Sequence, residues 1–119
     1  MEYALFAVYY NSMIKHTNTT EINFHIDVEL YRQLAQLQSA GLSQSAVARL
    51  AIRKCFNLPL DGDVDNSFPK RLNLYLTEDD AKLLDELANR QGERSRAKTL
   101  RRLIATYLRT NASAIESLF

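Results

Sequence analysis

A chain of 119 residues, 46% hydrophobic and 24% charged, has the length of one compact domain or of two small ones sharing a core. That balance excludes wholesale disorder and a collagen-like fibre, and a single cysteine, Cys55, excludes an internal disulfide framework and a cysteine-based zinc site. With 15 Lys+Arg against 14 Asp+Glu the net charge is +1, which argues against a nucleic-acid partner until the placement of the charges is considered.

Residues 1–20 form an extension that holds the longest apolar run, Tyr3 to Tyr10. A membrane-spanning helix needs about 20 apolar residues, and Met1-Glu2 lacks the positive start of a secretory signal. The chain is therefore expected to be cytoplasmic with no membrane contact, and the run to pack on the core or on a second chain. Met13 offers an alternative start just ahead of the patterned region.

Residues 22–56 and 72–108 carry one pattern twice. Each copy opens with strict alternation, Ile22-Asn23-Phe24-His25-Ile26 and Leu72-Asn73-Leu74-Tyr75-Leu76, which predicts a strand with one buried face. Asp27 and Thr77 then stand as N-caps, with Glu29 and Glu78-Asp79-Asp80 in the first turn that follows. Apolar residues at helical spacing predict a helix in each copy: Leu30, Tyr31, Leu34 and Leu37, then Ala81, Leu84, Leu87 and Ala88. Both helices are expected to stop near a glycine, Gly41 and Gly92. A second helix follows each, opened by Ser43-Gln44-Ser45 and by Ser95-Arg96. Its apolar positions are Val47, Leu50, Ala51, Ile52 and Phe56 in the first copy, answered by Leu100, Leu103, Ile104, Tyr107 and Leu108. The offset between copies is 50 through the first helix and 52 in the second.

Between the copies, Asn57 to Pro69 holds both prolines, Gly62 and the acids Asp61, Asp63 and Asp65, and reads as a loop. In the tail after residue 109, Ile115, Leu118 and Phe119 are expected to fold back as a final turn. The chain thus divides into an extension (1–20), a first unit (21–57), an acidic linker (58–69), a second unit (70–109) and a tail (110–119).

A five-residue strand cannot stand alone, because its backbone groups would lack partners. Antiparallel pairing of 22–26 with 72–76 solves this, and a 13-residue loop reaches roughly 40 Å, enough to return the chain. The expected fold is mostly α: a short two-stranded antiparallel ribbon on four helices, with the two halves pairing inside one chain. The outward face of the ribbon would carry Glu21, Asn23 and His25 beside Arg71, Asn73 and Tyr75. A two-stranded ribbon fits the DNA major groove, where Asn pairs with adenine, Arg with guanine, and Glu accepts from cytosine. A base-reading surface is one reading of this face; an ordinary solvated strand face is the other.

Strand, helix, Gly-x-Ser turn and helix together resemble the ribbon-helix-helix (MetJ/Arc) family of DNA-binding proteins. The resemblance rests on Gly41-Leu42-Ser43-Gln44-Ser45 with Arg49 and Ala51-Ile52-Arg53. The second copy carries it as Gly92-Glu93-Arg94-Ser95-Arg96 with Arg101 and Ile104, one residue longer before the serine. It covers residues 21–56 and 71–108. Members usually pair as homodimers, so two copies in one chain resemble a tandem, TraY-like form. The resemblance implies base contacts from Glu21, Asn23, His25, Arg71, Asn73 and Tyr75. It also implies phosphate binding where the second helices begin, at Ser43, Gln44 and Ser45 and at Arg94, Ser95, Arg96 and Lys98. Helix N-termini attract phosphate through free N–H groups and the positive end of the dipole. The acidic Glu21 and the few basic residues of the first copy depart from the family pattern.

The charge is unevenly spread. Residues 90–109 carry net +6, residues 20–58 net +1, and residues 59–69 net −3. A local basic patch of this kind is expected to supply phosphate neutralisation that the whole-chain sum conceals.

Other candidates point elsewhere. His16 and His25 have no second ligand at metal spacing, so no metal is expected. Cys55 falls on an apolar helix face and reads as a core thiol. Glu78, Asp79 and Asp80 complement a helix dipole, and of the tyrosines able to stack on bases (Tyr9, Tyr10, Tyr75) only Tyr75 is well placed. No Gly-rich phosphate loop or Ser-His-Asp set is present, so no enzyme activity, cofactor or small-molecule substrate is expected. The expected function is sequence-specific binding of double-stranded DNA, as a transcriptional repressor. Alternatives are an accessory protein of a plasmid relaxosome or partition system, and an antitoxin-type module. Self-association is expected either on adjacent sites or through residues 3–10.

Overall fold

The computed structural model describes residues 19–63 and 67–117. The apolar run at 3–10, Met13, His16, Asp65, Leu118 and Phe119 lie outside the described residues. In chain order the elements are β1 (Thr19–Ile26), α1 (Val28–Ser39), α2 (Gln44–Cys55), β2 (Lys70–Thr77), α3 (Glu78–Arg90), α4 (Arg96–Thr110) and α5 (Ala112–Glu116). The order strand, helix, helix therefore occurs twice, with α5 appended.

β1 and β2 pair antiparallel from Thr19↔Thr77 to Ile26↔Lys70. Both strands run past their alternating apolar segments, because the residues at the polar ends still pair in the ladder, Thr19 with Thr77 and Lys70 with Ile26. Ile22, Phe24 and Ile26 point inward from one strand and Leu72, Leu74 and Leu76 from the other; all six are buried.

Each of the four long helices begins at a side-chain cap. Asp27 Oδ2 accepts from the Leu30 N–H at 3.2 Å, Ser43 Oγ from Ala46 at 3.1 Å, Thr77 Oγ1 from Asp80 at 3.1 Å, and Ser95 Oγ from Lys98 at 3.3 Å. Such caps stabilise a helix by about 0.5–2 kcal/mol each. α1 and α3 end as their glycines foretell. Gly41 has φ +97° and Gly92 φ +68°, in the left-handed region. Just beyond them, the Leu42 N–H donates to the Leu37 carbonyl at 2.9 Å and the Glu93 N–H to that of Ala88 at 2.8 Å, closing both helix ends in the same way.

One apolar cluster joins the inner face of the ribbon to the four long helices. α2 and α4 make its most extensive helix–helix contact, with Ile52 and Ile104 fully buried at corresponding positions. Truncating such a residue to alanine costs about 2–5 kcal/mol. Cys55 is buried in this cluster, and burial pushes its thiol pKa up, which keeps it unreactive.

The segment read as a plain loop is fastened along α4. The Asp61 N–H donates to Thr106 Oγ1 at 2.8 Å, and Arg102 Nε donates to the Asp61 carbonyl at 2.8 Å. Arg109 holds the Asp61 carboxylate at 2.9 Å, and Arg101 holds that of Asp63 at 2.8 Å while stacking 4.0 Å from the Phe68 ring centre. Of the tail, α5 packs Ile115 against the core. No helix among the described residues is long and apolar enough to cross a membrane.

Candidate nucleic-acid interface

Alternation that buries one face of the ribbon necessarily presents the other. Glu21, Asn23, His25, Arg71, Asn73 and Tyr75 are all exposed, and the register sets them on three alternate rungs: Glu21 opposite Tyr75, Asn23 opposite Asn73, His25 opposite Arg71. At about 3.3 Å per residue these rungs span roughly 13 Å along the ribbon. Among the described residues, none of the six side chains hydrogen-bonds another protein group, so their donors and acceptors face solvent unspent. Three donor- or acceptor-bearing pairs in a row, on a ribbon anchored by its other face, can read base edges across a groove about 12 Å wide.

The start of α2 lies against this ribbon. Ser45 Oγ accepts from the Tyr75 N–H at 3.0 Å, which docks the first turn of α2 on the free edge of β2. At the edge of β1, Arg101 from α4 donates to the His25 carbonyl at 3.2 Å. The four long helices divide electrostatically into two kinds. α1 and α3 carry acids in the first turn, Glu29 and Glu78-Asp79-Asp80, whereas α2 and α4 carry none. The positive ends of α2 and α4 thus carry no first-turn acid to neutralise them. Ser43 is exposed there, and Gln44 and Ser45 are half-buried; Arg94, Ser95 and Lys98 are exposed and Arg96 is half-buried.

The basic stretch at 90–109 is less free than its count suggests. Arg96 grips the Asp85 carboxylate through two bonds of 2.7 Å, which hold that carboxyl below the usual range and raise the guanidinium pKa. Lys98 pairs with Glu93 at 3.1 Å. Arg90 stacks 4.3 Å from the Phe56 ring centre and donates to the Phe56 carbonyl at 3.2 Å. Arg101 and Arg109 are taken by Asp63 and Asp61. Asp61 and Asp63 of the linker therefore sit on the arginines of α4 and do not balance them from a distance. Among the described residues, Arg49, Arg71 and Arg94 have no acidic partner, and Arg71 and Arg94 are exposed at the ribbon and beside the start of α4.

Sequence patterning missed the contacts of Arg90, Arg101 and Arg109 because each joins residues more than 30 positions apart. The one local hint was Asp61 and Asp63 at alternate positions, set opposite a helix with Arg101 and Arg109 two turns apart. His25 is exposed on the ribbon, and no metal-binding group of three or more His, Cys, Asp or Glu occurs among the described residues.

Searches of curated proteins and of solved structures each return no match. Residues 70–110 match the model of the ribbon-helix-helix protein, copG family, a stretch that holds β2, α3 and α4 together. In this stretch the chain is similar to a ribbon-helix-helix domain, and proteins of that family bind double-stranded DNA.

Proposed function

We infer that the chain is a sequence-specific DNA-binding protein in which two ribbon-helix-helix units, 21–57 and 70–109, pair within one molecule across the 58–69 linker. The ribbon enters the major groove, and the protein represses transcription by occupying an operator. One observation carries this reading: six exposed side chains with unspent hydrogen-bonding groups lie on three alternate rungs of a ribbon whose reverse face is the core.

In this reading Asn23 and Asn73 contact the centre of the site. Glu21 with Tyr75, and His25 with Arg71, contact its two sides. Ser43, Gln44 and Ser45 hold one backbone phosphate, and Arg94, Ser95 and Lys98 hold the other. Arg96 supports that second clamp through Asp85 and does not itself reach the phosphate. Since Glu21 corresponds to Arg71 and His25 to Tyr75, the two half-sites differ.

The test is a binding titration of the full chain against duplex and single-stranded DNA over a range of salt. Duplex preference with affinity falling as salt rises supports groove binding with phosphate contacts. Equal binding to single strands, or none to either, contradicts it.

A further inference from the structure

The two halves of the chain share a pattern, yet the contacts between them are one-sided. Arg53 on α2 holds the Asp80 carboxylate on α3 through two bonds, of 2.8 and 3.0 Å. The Asp80 side chain is 1% exposed and that of Arg53 56%. Under the repeat offsets, the positions corresponding to Asp80 and Arg53 are Leu30 on α1 and Ala105 on α4, both apolar. The contact at the β2 edge is one-sided too. Ser45 accepts from the Tyr75 N–H, while Ala97 stands at the position corresponding to Ser45 and offers no side-chain acceptor.

We propose that Arg53 and Asp80 decide which half pairs with which: a first half accepts a second half, and two second halves reject each other. This rests on the reading of the chain as two paired units. In a pairing of two second halves, Asp80 of each copy would meet Ala105 of the other, leaving a buried carboxylate without its cation, a strongly destabilising state. In a pairing of two first halves, Arg53 would meet Leu30 and lose its anion. Mixed pairing alone satisfies both groups. A polar pair placed among apolar contacts selects partners by penalising the wrong ones, as single polar residues do in coiled coils. The consequence reaches the ribbon. Mixed pairing keeps Glu21-Asn23-His25 and Arg71-Asn73-Tyr75 on one surface, whereas pairing of like halves would create two symmetric ones.

The test uses the full chain and its oligomeric state by native mass spectrometry and light scattering, with circular dichroism as the check on folding. The variant R53A/D80L installs the apolar residues of the corresponding positions, so every pairing becomes equivalent in this respect. Wild type is expected to stay single-chain, and the folded variant to show a two-chain fraction at least about tenfold higher. A wild-type chain already in two-chain form contradicts in-chain pairing and this inference with it. A single-chain wild type beside an equally single-chain, folded variant overturns the selectivity alone. Should R53A/D80L not fold, D80R and R53D/D80R decide. D80R opposes two guanidinium groups across the mixed interface and is expected to drive copies together, and the reversed pair to restore the single chain. Equal two-chain fractions for those two variants overturn the inference.

Discussion

Asn23 and Asn73 face each other at the one rung of the ribbon where residues 50 apart in sequence are also partners in the strand register. In the proposed pairing of two units, the two-fold relation between them would pass through this rung. On either side of that rung the chemistry parts: Glu21 lies with Tyr75, and His25 with Arg71.

Replacing either asparagine with alanine should cost about 1–3 kcal/mol in binding to a preferred duplex. Both substitutions should relax preference at the centre of the site. R71A and E21A should each relax it on one side only. All four positions are exposed, so circular dichroism and thermal stability should be unchanged; equilibrium binding to singly substituted duplexes reads the effect.

Free and committed arginines should separate in salt dependence. Arg94 has no acidic partner among the described residues, whereas Arg109 is held by Asp61. R94A should lower the slope of log affinity against log salt by about one. R109A should leave the slope unchanged and lower stability slightly. Equal effects on the slope would mean that α4 uses its whole basic face.

The Arg53–Asp80 pair should behave asymmetrically on truncation. R53A leaves a carboxylate buried and unpaired and should cost about 2–3 kcal/mol in urea denaturation, at the lower end for buried pairs because Arg53 itself is half in water. R53A/D80L removes both charges and should recover most of that loss. A double variant no better than the single would locate the cost in packing.

Acid should loosen the straps. Arg109 holds the Asp61 carboxyl, and Arg96 that of Asp85, below the ordinary range; Arg32 brings Glu29 down to about 2. Each group binds a proton more readily in the unfolded chain. The stability they add is therefore present above about pH 4–5 and lost as pH falls through the folded values. The midpoint of thermal unfolding should drop over that acidic interval. A D61N/D85N/E29Q variant should show a shallower drop, and an identical one would assign the acid sensitivity to other carboxylates.

How much of this was readable in the sequence follows from the range of each interaction. Alternation fixes the face of a residue locally, so Ile22, Phe24, Leu72 and Leu74 were legible as core, and Asn23 and Asn73 as exposed. Caps act over three residues, and Asp27, Ser43, Thr77 and Ser95 cap as the pattern indicates. The strand ends were not legible, since Thr19 and Lys70 join the ladder through backbone pairing, which leaves no mark on side-chain pattern. Partner choice among charges was also hidden. Nothing near Asp63 or Asp80 in sequence shows that Arg101 and Arg53 will hold them. The +6 stretch could therefore be counted from the sequence but not divided into free and committed arginines.

Selection of bound duplexes from a random pool, using the intact chain, tests most directly that this ribbon reads DNA with two unlike halves. The selected sites should share a centre flanked by two different half-sites, and that asymmetry should weaken in R71A and E21A. A perfect palindrome would contradict reading by unlike halves, and a pool without enrichment would contradict sequence-specific reading by the ribbon.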